Sequence, residues 1–302
     1  MGNSSDDGDP AGSGVDGCSQ RDARRRFGWA TRVRRLVIVV VLAYLGVCVL
    51  ARLLQSWLMY FPTRGYPTTP SDLGLDFEDL TLKTGDGVSI AAWFVPHADP
   101  KGTVIFCHGN AGNISDRLDS VKLLHNMGVN VLIFDYRGYG RSEGRPSEQG
   151  TYKDAEAAWR YLVDTRGELP QQVVLFGRSL GGAVAIDLAK RHHPGALVVE
   201  STFTSAVDVG RLHYPLLPVR LLLSYRYDSI SKVPHITCPK LFLHGRDDTL
   251  IPFDNGLKLF EAAAGPKQFI ETPGGHNEGG FTYSREYTDR LERFLSDALM
   301  PL

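Results

Sequence analysis

The sequence predicts an α/β fold in which a mostly parallel sheet is flanked by helices and carried behind one N-terminal transmembrane helix. Three observations predict it. From about residue 76, short β-rich runs alternate with longer helical stretches. A Gly-x-Ser-x-Gly stands where a strand runs directly into an apolar helix. An uninterrupted apolar run occupies residues 36–51. The 302 residues, 43% hydrophobic and 22% charged, have the composition of a globular protein able to bury one large core. A net charge of −1 supplies no global field for nucleic acid, which is not expected as a partner. Cys18, Cys48, Cys107 and Cys238 lie far apart and show no zinc or redox spacing, so all four read as free thiols.

The N-terminal elements come first. Residues 1–20 are rich in Gly, Ser and Asp and cannot bury enough apolar surface to offset the entropy of ordering. A basic run from Arg21 to Arg35 follows, and residues 1–35 are expected to form a disordered basic tail. Extended to Leu54, with Arg52 snorkelling, the apolar run becomes a 19-residue helix. Such a helix spans about 28 Å, close to the ~30 Å hydrocarbon core. Trp57, Tyr60 and Phe61 suit the interfacial belt. No Ala-x-Ala cleavage site follows, which favours a retained signal anchor over a secretory peptide. The cations preceding the span leave the N-terminus cytoplasmic and the catalytic domain on the exoplasmic side, in a periplasm or lumen. Residues 55–75 then read as a juxtamembrane linker. Myristoylation at Gly2 is disfavoured by Asp6, and the sequons at Asn3 and Asn113 read as chance matches.

Residues 76–302 form the expected catalytic domain. Its sheet begins with a hairpin, strands 78–82 and 88–95 around Gly85-Asp86-Gly87. Further strands are expected at 103–107, 129–134, 173–176, 197–200, 241–244 and 268–271. Helices are expected at 115–126, 150–165, 180–192, 254–263 and 284–298. In the second of these, Ala155, Ala158, Trp159 and Leu162 recur at helical spacing, which makes Trp159 a core residue.

The chemistry gathers at strand ends. Gly177-Arg178-Ser179-Leu180-Gly181 follows the strand at 173–176. Its glycines permit a sharp bend that projects the Ser179 hydroxyl from the carboxyl edge of the sheet. A serine hydroxyl needs a base, and the base needs an orienting carboxylate. His276, in Pro273-Gly274-Gly275-His276-Asn277, is the histidine held at a strand end by glycines. Leu243-His244-Gly245-Arg246-Asp247-Asp248 supplies the acid, and the residues alone do not choose between the two aspartates. In the loop His108-Gly109-Asn110-Ala111-Gly112-Asn113, the N–H of Asn110 joins that of Leu180 as a candidate oxyanion donor, while His108 reads as structural.

These strings resemble the bud-emergence-like branch of the α/β-hydrolases, which carries a serine aminopeptidase-type domain. They include Tyr60-Phe61-Pro62, Phe134-Asp135-Tyr136-Arg137-Gly138-Tyr139-Gly140-Arg141-Ser142, Gly177–Gly182, Glu200-Ser201-Thr202-Phe203 and Gly274–Asn277. The resemblance implies an eight-stranded sheet with its second strand antiparallel, Asp248 as the acid, and no metal or organic cofactor. It also implies a hydrolase, with acyl-protein thioesterases and lipid esterases in related branches; a two-step acyl transfer in which Ser179 attacks an ester or thioester, of a lipid or lipidated protein among others, is expected. A short lid is expected at about 201–239, where Tyr214-Pro215-Leu216-Leu217-Pro218 and Leu221–Leu223 offer an apolar surface to an acyl chain, to the bilayer or to the domain body. A serine aminopeptidase and a non-catalytic membrane scaffold are the alternatives.

Overall fold

A computed structural model describes residues 16–277 and 285–300. The chain divides into two compact units at Arg52 and Leu53. The described part of the first lies within helix α1 (Asp16–Met59). The stretch Thr31–Met59 is long and apolar enough to cross a membrane, and the side chains of its most apolar part are almost all exposed. Two expectations change here. Residues 16–35, expected to be disordered, continue the helix; residues 1–15 lie outside the described part. Nor are residues 55–75 a linker. The helix runs on to Met59, Tyr60 is buried, and Phe61 and Pro62 pair in parallel with Ala111 and Gly112. Tyr60 Oη meets Tyr227 Oη at 2.8 Å, and Asn113 Nδ2 donates to Thr63 Oγ1 and to Gly65 O at 2.9 and 2.7 Å. Aromatic burial and paired polar groups draw the segment into the body of the second unit, which outweighs the freedom its glycine and prolines would otherwise give.

The second unit is built on a mixed eight-stranded sheet. Its strands are β1 (Glu78–Lys83), β2 (Ser89–Val95), β3 (Thr103–Cys107), β4 (Asn130–Phe134), β5 (Val173–Arg178), β6 (Ala196–Glu200), β7 (Lys240–Gly245) and β8 (Lys267–Thr272). They lie in the order β8-β7-β6-β5-β3-β4-β2-β1. Only β2 runs against its neighbours, β1 and β4; the others pair in parallel. The central strands are buried on both faces, so they read as continuous apolar runs. Period-two alternation then divides them between two cores: Ile105 and Leu175 face one layer, and Val104, Phe106 and Phe176 the other.

Helices α3 (Glu148–Arg160), α4 (Leu180–Arg191) and α7 (Asp254–Ala262) contribute Trp159, Leu188 and Leu259 to the first core. Trp159 is buried there, stacked on His192 with ring centroids 4.6 Å apart. Helices α2 (Leu118–Asn126) and α8 (Arg285–Leu299) send Leu124, Leu291 and Phe294 into the second. The expected helix at 150–165 ends in a π-helical turn, Tyr161–Thr165. Between β6 and β7, where a lid is expected, lie two helices not foreseen from the sequence, α5 (Ala206–His213) and α6 (Val219–Leu222). Their stripes are too short to stand out by periodicity. Ala206, Val207 and Val219 pack inward, whereas Leu212, Tyr214, Leu216 and Leu221 are exposed.

Candidate active site

The site assembles at the carboxyl ends of β3, β5, β7 and β8. Register fixes their proximity: Cys107 is paired with Gly177, Arg178 with Glu200, and Thr272 with Gly245. Residues one to four positions past these ends therefore meet although they are as much as 97 residues apart in sequence, as Ser179 and His276 are. Ser179 begins the turn from β5 to α4 at φ 54°, a positive value that is strained for a residue with a Cβ. Its carbonyl accepts from Gly182 N–H at 3.0 Å and from Thr202 Oγ1 at 2.7 Å, and its N–H donates to Glu200 O at 2.9 Å, so three bonds hold the bend. The flanking glycines are required by close approach. A Cβ on Gly177 would lie 2.3 Å from Gly181 O, and one on Gly181 would lie 1.9 Å from Cys107 O. The start of α4 consequently sits on the backbone of the loop after β3.

His276 lies between the hydroxyl and a carboxylate. Its Nε2 is 3.0 Å from Ser179 Oγ, and its Nδ1 is 2.7 Å from Asp248 Oδ2. Of the two aspartates, Asp247 is exposed and uses its N–H on Gly274 O, while the Asp248 side chain is fully buried. Asp248 Oδ1 accepts from the N–H groups of Leu250 and Ile251 at 3.0 and 2.8 Å. Burial opposes ionisation of this carboxyl. The neighbouring His244 and His276 and the Ile251 N–H outweigh it and hold the group well below the usual carboxylate range.

The loop after β3 is braced from several sides. Tyr139 Oη stands 2.7 Å from Asn110 O and 3.0 Å from its Oδ1, and Asn110 Nδ2 donates to Met59 O. The side chain of Asn110 is thereby occupied, and its N–H has no acceptor among the described residues. The N–H of Leu180 opens α4, where a helix leaves its first donors unpaired. His108 is fully buried, bonded through Nδ1 to Gly109 O at 2.7 Å, and burial lowers its pKa to about 3, so it stays neutral. It does not reach the three aligned side chains through any hydrogen bond.

Several residues escaped reasoning from sequence. The Asp135–Ser142 string is one brace: Asp135 accepts from Tyr66 Oη and Ile114 N–H, Arg137 pairs with Asp154 at 2.9 Å and Asp86 at 3.0 Å, and Tyr139 holds Asn110. Arg178, the variable position of the Gly-x-Ser-x-Gly, donates from Nη2 to His276 O at 3.2 Å. Its Nε lies 3.9 Å from Glu200, whose carboxylate is buried and has no hydrogen-bond partner among the described residues. The register pairing of Arg178 with Glu200 was the available clue, but it is visible only once β5 and β6 are known to be neighbours. Among the described residues no three His, Cys, Asp or Glu side chains cluster to hold a metal ion. Cys48, Cys107 and Cys238 are free thiols.

With this geometry in place, known proteins give a consistent answer. An α/β hydrolase domain-containing protein of Arabidopsis thaliana, WAV2, is 35% identical over 80% of this chain and 88% of its own length. The chain belongs to the α/β-hydrolase family. The human α/β hydrolase domain-containing protein 17B is 35% identical over 74% of this chain and 77% of its own. An uncharacterized protein of Mycobacterium tuberculosis is 39% identical over 88% of this chain and 96% of its own. Residues 98–223 match the model of the serine aminopeptidase family, S33. Among solved structures, the Pyrococcus furiosus esterase Pf2001 superposes with a TM-score of 0.67 at 22% identity, covering 79% of this chain and 98% of that one, a likeness of fold. These relatives make this α/β-hydrolase chain a hydrolase, with esterases among its structural neighbours.

Proposed function

We propose that this α/β-hydrolase is a membrane-anchored serine hydrolase of the bud-emergence-like branch that cleaves carboxylic esters or thioesters through an acyl-enzyme. The observation that carries the reading is the unbroken series of contacts from Ser179 Oγ through His276 to Asp248, at 3.0 and 2.7 Å. In the proposed first step, His276 Nε2 takes the Ser179 proton as Oγ attacks the carbonyl carbon. The oxyanion accepts from the N–H groups of Asn110 and Leu180. The imidazolium, stabilised by Asp248, then passes its proton to the departing alkoxide or thiolate. Water repeats the attack on the acyl-enzyme, gives its proton to His276, and releases the acid and a regenerated Ser179.

Support for an acyl substrate comes from the exposed apolar lid and from the esterase-like fold. A lipid or a lipidated protein is the proposed substrate class. Residues 36–54 are proposed to anchor the chain in the bilayer, with the catalytic domain on the exoplasmic side, because the arginines before the span favour a cytoplasmic N-terminus. Two measurements test the proposal. Ser179→Ala should abolish fluorophosphonate labelling and hydrolysis of a short p-nitrophenyl ester while leaving the thermal melt in place; unchanged turnover would remove Ser179 from the chemistry. Preference for an aminoacyl p-nitroanilide over that ester would instead favour the aminopeptidase reading.

A further inference from the structure

The large apolar side chains that the second unit leaves exposed are concentrated in two short segments. One comprises residues 53–61, including Trp57 at 82% exposure; the other is the lid, where Leu216 and Leu221 are 85% and 83% exposed. The segments are hydrogen-bonded together: Ser224 N–H donates to Gln55 Oε1 at 2.8 Å, and Gln55 Nε2 donates to Ser224 Oγ at 3.3 Å. Residue 55 is the first beyond the expected span, so covalent continuity holds it at the membrane interface. Ser224 follows the exposed Leu221 of α6 by three residues. Leu250 belongs to the same surface, since His213 of α5 bonds its carbonyl at 2.9 Å, and Leu250 lies two residues after Asp248.

Charge points in the same direction. An open cavity of about 360 Å³ between α5 and α6 is lined by Arg211, Tyr214, Leu217, Arg220 and Leu221 among others. Neither Arg211 nor Arg220 has a carboxylate partner among the described residues, unlike Arg137, Arg141, Arg166 and Arg191. Exposed apolar side chains such as Tyr214 and Leu221, beside two guanidinium groups without carboxylate partners, are poorly matched to water. They suit a surface whose apolar interior begins just below a layer of anions.

We propose that the α5–α6 lid is a membrane-docking surface: Leu216 and Leu221 enter the interface of an anionic phospholipid bilayer while Arg211 and Arg220 bind its headgroup phosphates. The inference rests on the membrane anchor proposed above and deepens that reading. It places the mouth of the site where a substrate with its acyl chain in the bilayer reaches Ser179 without crossing water.

The test uses the full chain reconstituted in vesicles of phosphatidylcholine, alone or mixed with phosphatidylglycerol. Leu216 is replaced by a fluorescent environment-sensitive amino acid, and quenching is read from headgroup-spin-labelled lipid. Docking gives strong quenching that increases with phosphatidylglycerol. Arg211→Gln and Arg220→Gln should each weaken docking about fivefold at low salt. Leu221→Asp should abolish the quenching, while hydrolysis of a short water-soluble ester and fluorophosphonate labelling persist. A Leu216 probe that stays as water-exposed in anionic vesicles as in detergent overturns the proposal, as does quenching indifferent to both arginines. Alkaline carbonate extraction separates the readings: a chain that resists extraction and labels normally without quenching refutes only the lid docking. Release of the chain by carbonate removes the anchor and the docking together, while leaving the hydrolase assignment to the labelling result.

Discussion

Replacing Asp248 by Asn tests the geometry of the site more sharply than replacing Ser179, because the structure dictates which way the amide must point. Asp248 Oδ1 accepts two backbone N–H groups, from Leu250 and Ile251, whereas Oδ2 faces His276 Nδ1 at 2.7 Å. An amide NH2 at the Oδ1 position would oppose two donors and leave them unpaired in a buried site, at a cost of roughly 1–3 kcal/mol each. The Asn oxygen therefore stays at Oδ1 and its NH2 faces the imidazole. His276 must then accept at Nδ1 and carry its proton on Nε2, the nitrogen 3.0 Å from Ser179 Oγ. A protonated Nε2 has no lone pair with which to take the serine proton. The same inversion of tautomer in Ser-His-Asp proteases reduces kcat about ten-thousand-fold, or roughly 5 kcal/mol, and a loss of that order is expected here. The assay is steady-state hydrolysis of a short p-nitrophenyl ester alongside the rate of fluorophosphonate labelling, with the thermal melt as a folding control. Asp247→Asn, at an exposed position, should stay within about twofold of wild type. Retention of more than about a tenth of wild-type turnover by Asp248→Asn, or an equal loss from Asp247→Asn, would refute the reasoning.

Two further outcomes follow from contacts around the site. Arg178→Gln leaves the buried Glu200 carboxylate without its neighbouring charge and should destabilise the fold by roughly 3 kcal/mol. The double variant Arg178→Gln with Glu200→Gln should regain most of that stability yet keep a deficit of about tenfold in kcat, because the bond to His276 O is still missing. Full recovery of turnover in the double variant would limit Arg178 to charge balance. Burial raises the pKa of Asp135 to about 7, against the hydrogen bonds it accepts from Tyr66 and Ile114. In the unfolded chain the same carboxyl titrates near pH 4, so between about pH 4 and 7 the unfolded state gives up the proton that the folded state keeps. Stability therefore falls as pH rises through that window, by as much as roughly 4 kcal/mol, and levels off above it. Asp135→Asn should flatten this part of the denaturation profile, and parallel profiles for variant and wild type would show that Asp135 ionises normally in the fold.

Local rules account for what the sequence determined. The central strands are visible as apolar runs because both sheet faces are covered there, whereas the edge strand Glu78–Lys83 shows as alternation. The turn at Ser179 is visible because only Gly177 and Gly181 tolerate backbone contact there. Ser179, His276, Asn110 and Leu180 were singled out from motifs at strand ends. Asp248 was separated from Asp247 only by family resemblance; its burial and its 2.7 Å contact with His276 are what distinguish the two physically. The tertiary structure alone decided the pairing of Arg178 with Glu200, the brace from Tyr139 to Asn110, and the incorporation of residues 60–66 beside the loop after β3. It also placed Ser224 on Gln55 across 169 positions of sequence. Periodicity and turn chemistry act over a few residues and so can be read along the chain. Contacts between strand ends depend on the order in which strands pair, and that order is set by packing of the whole sheet.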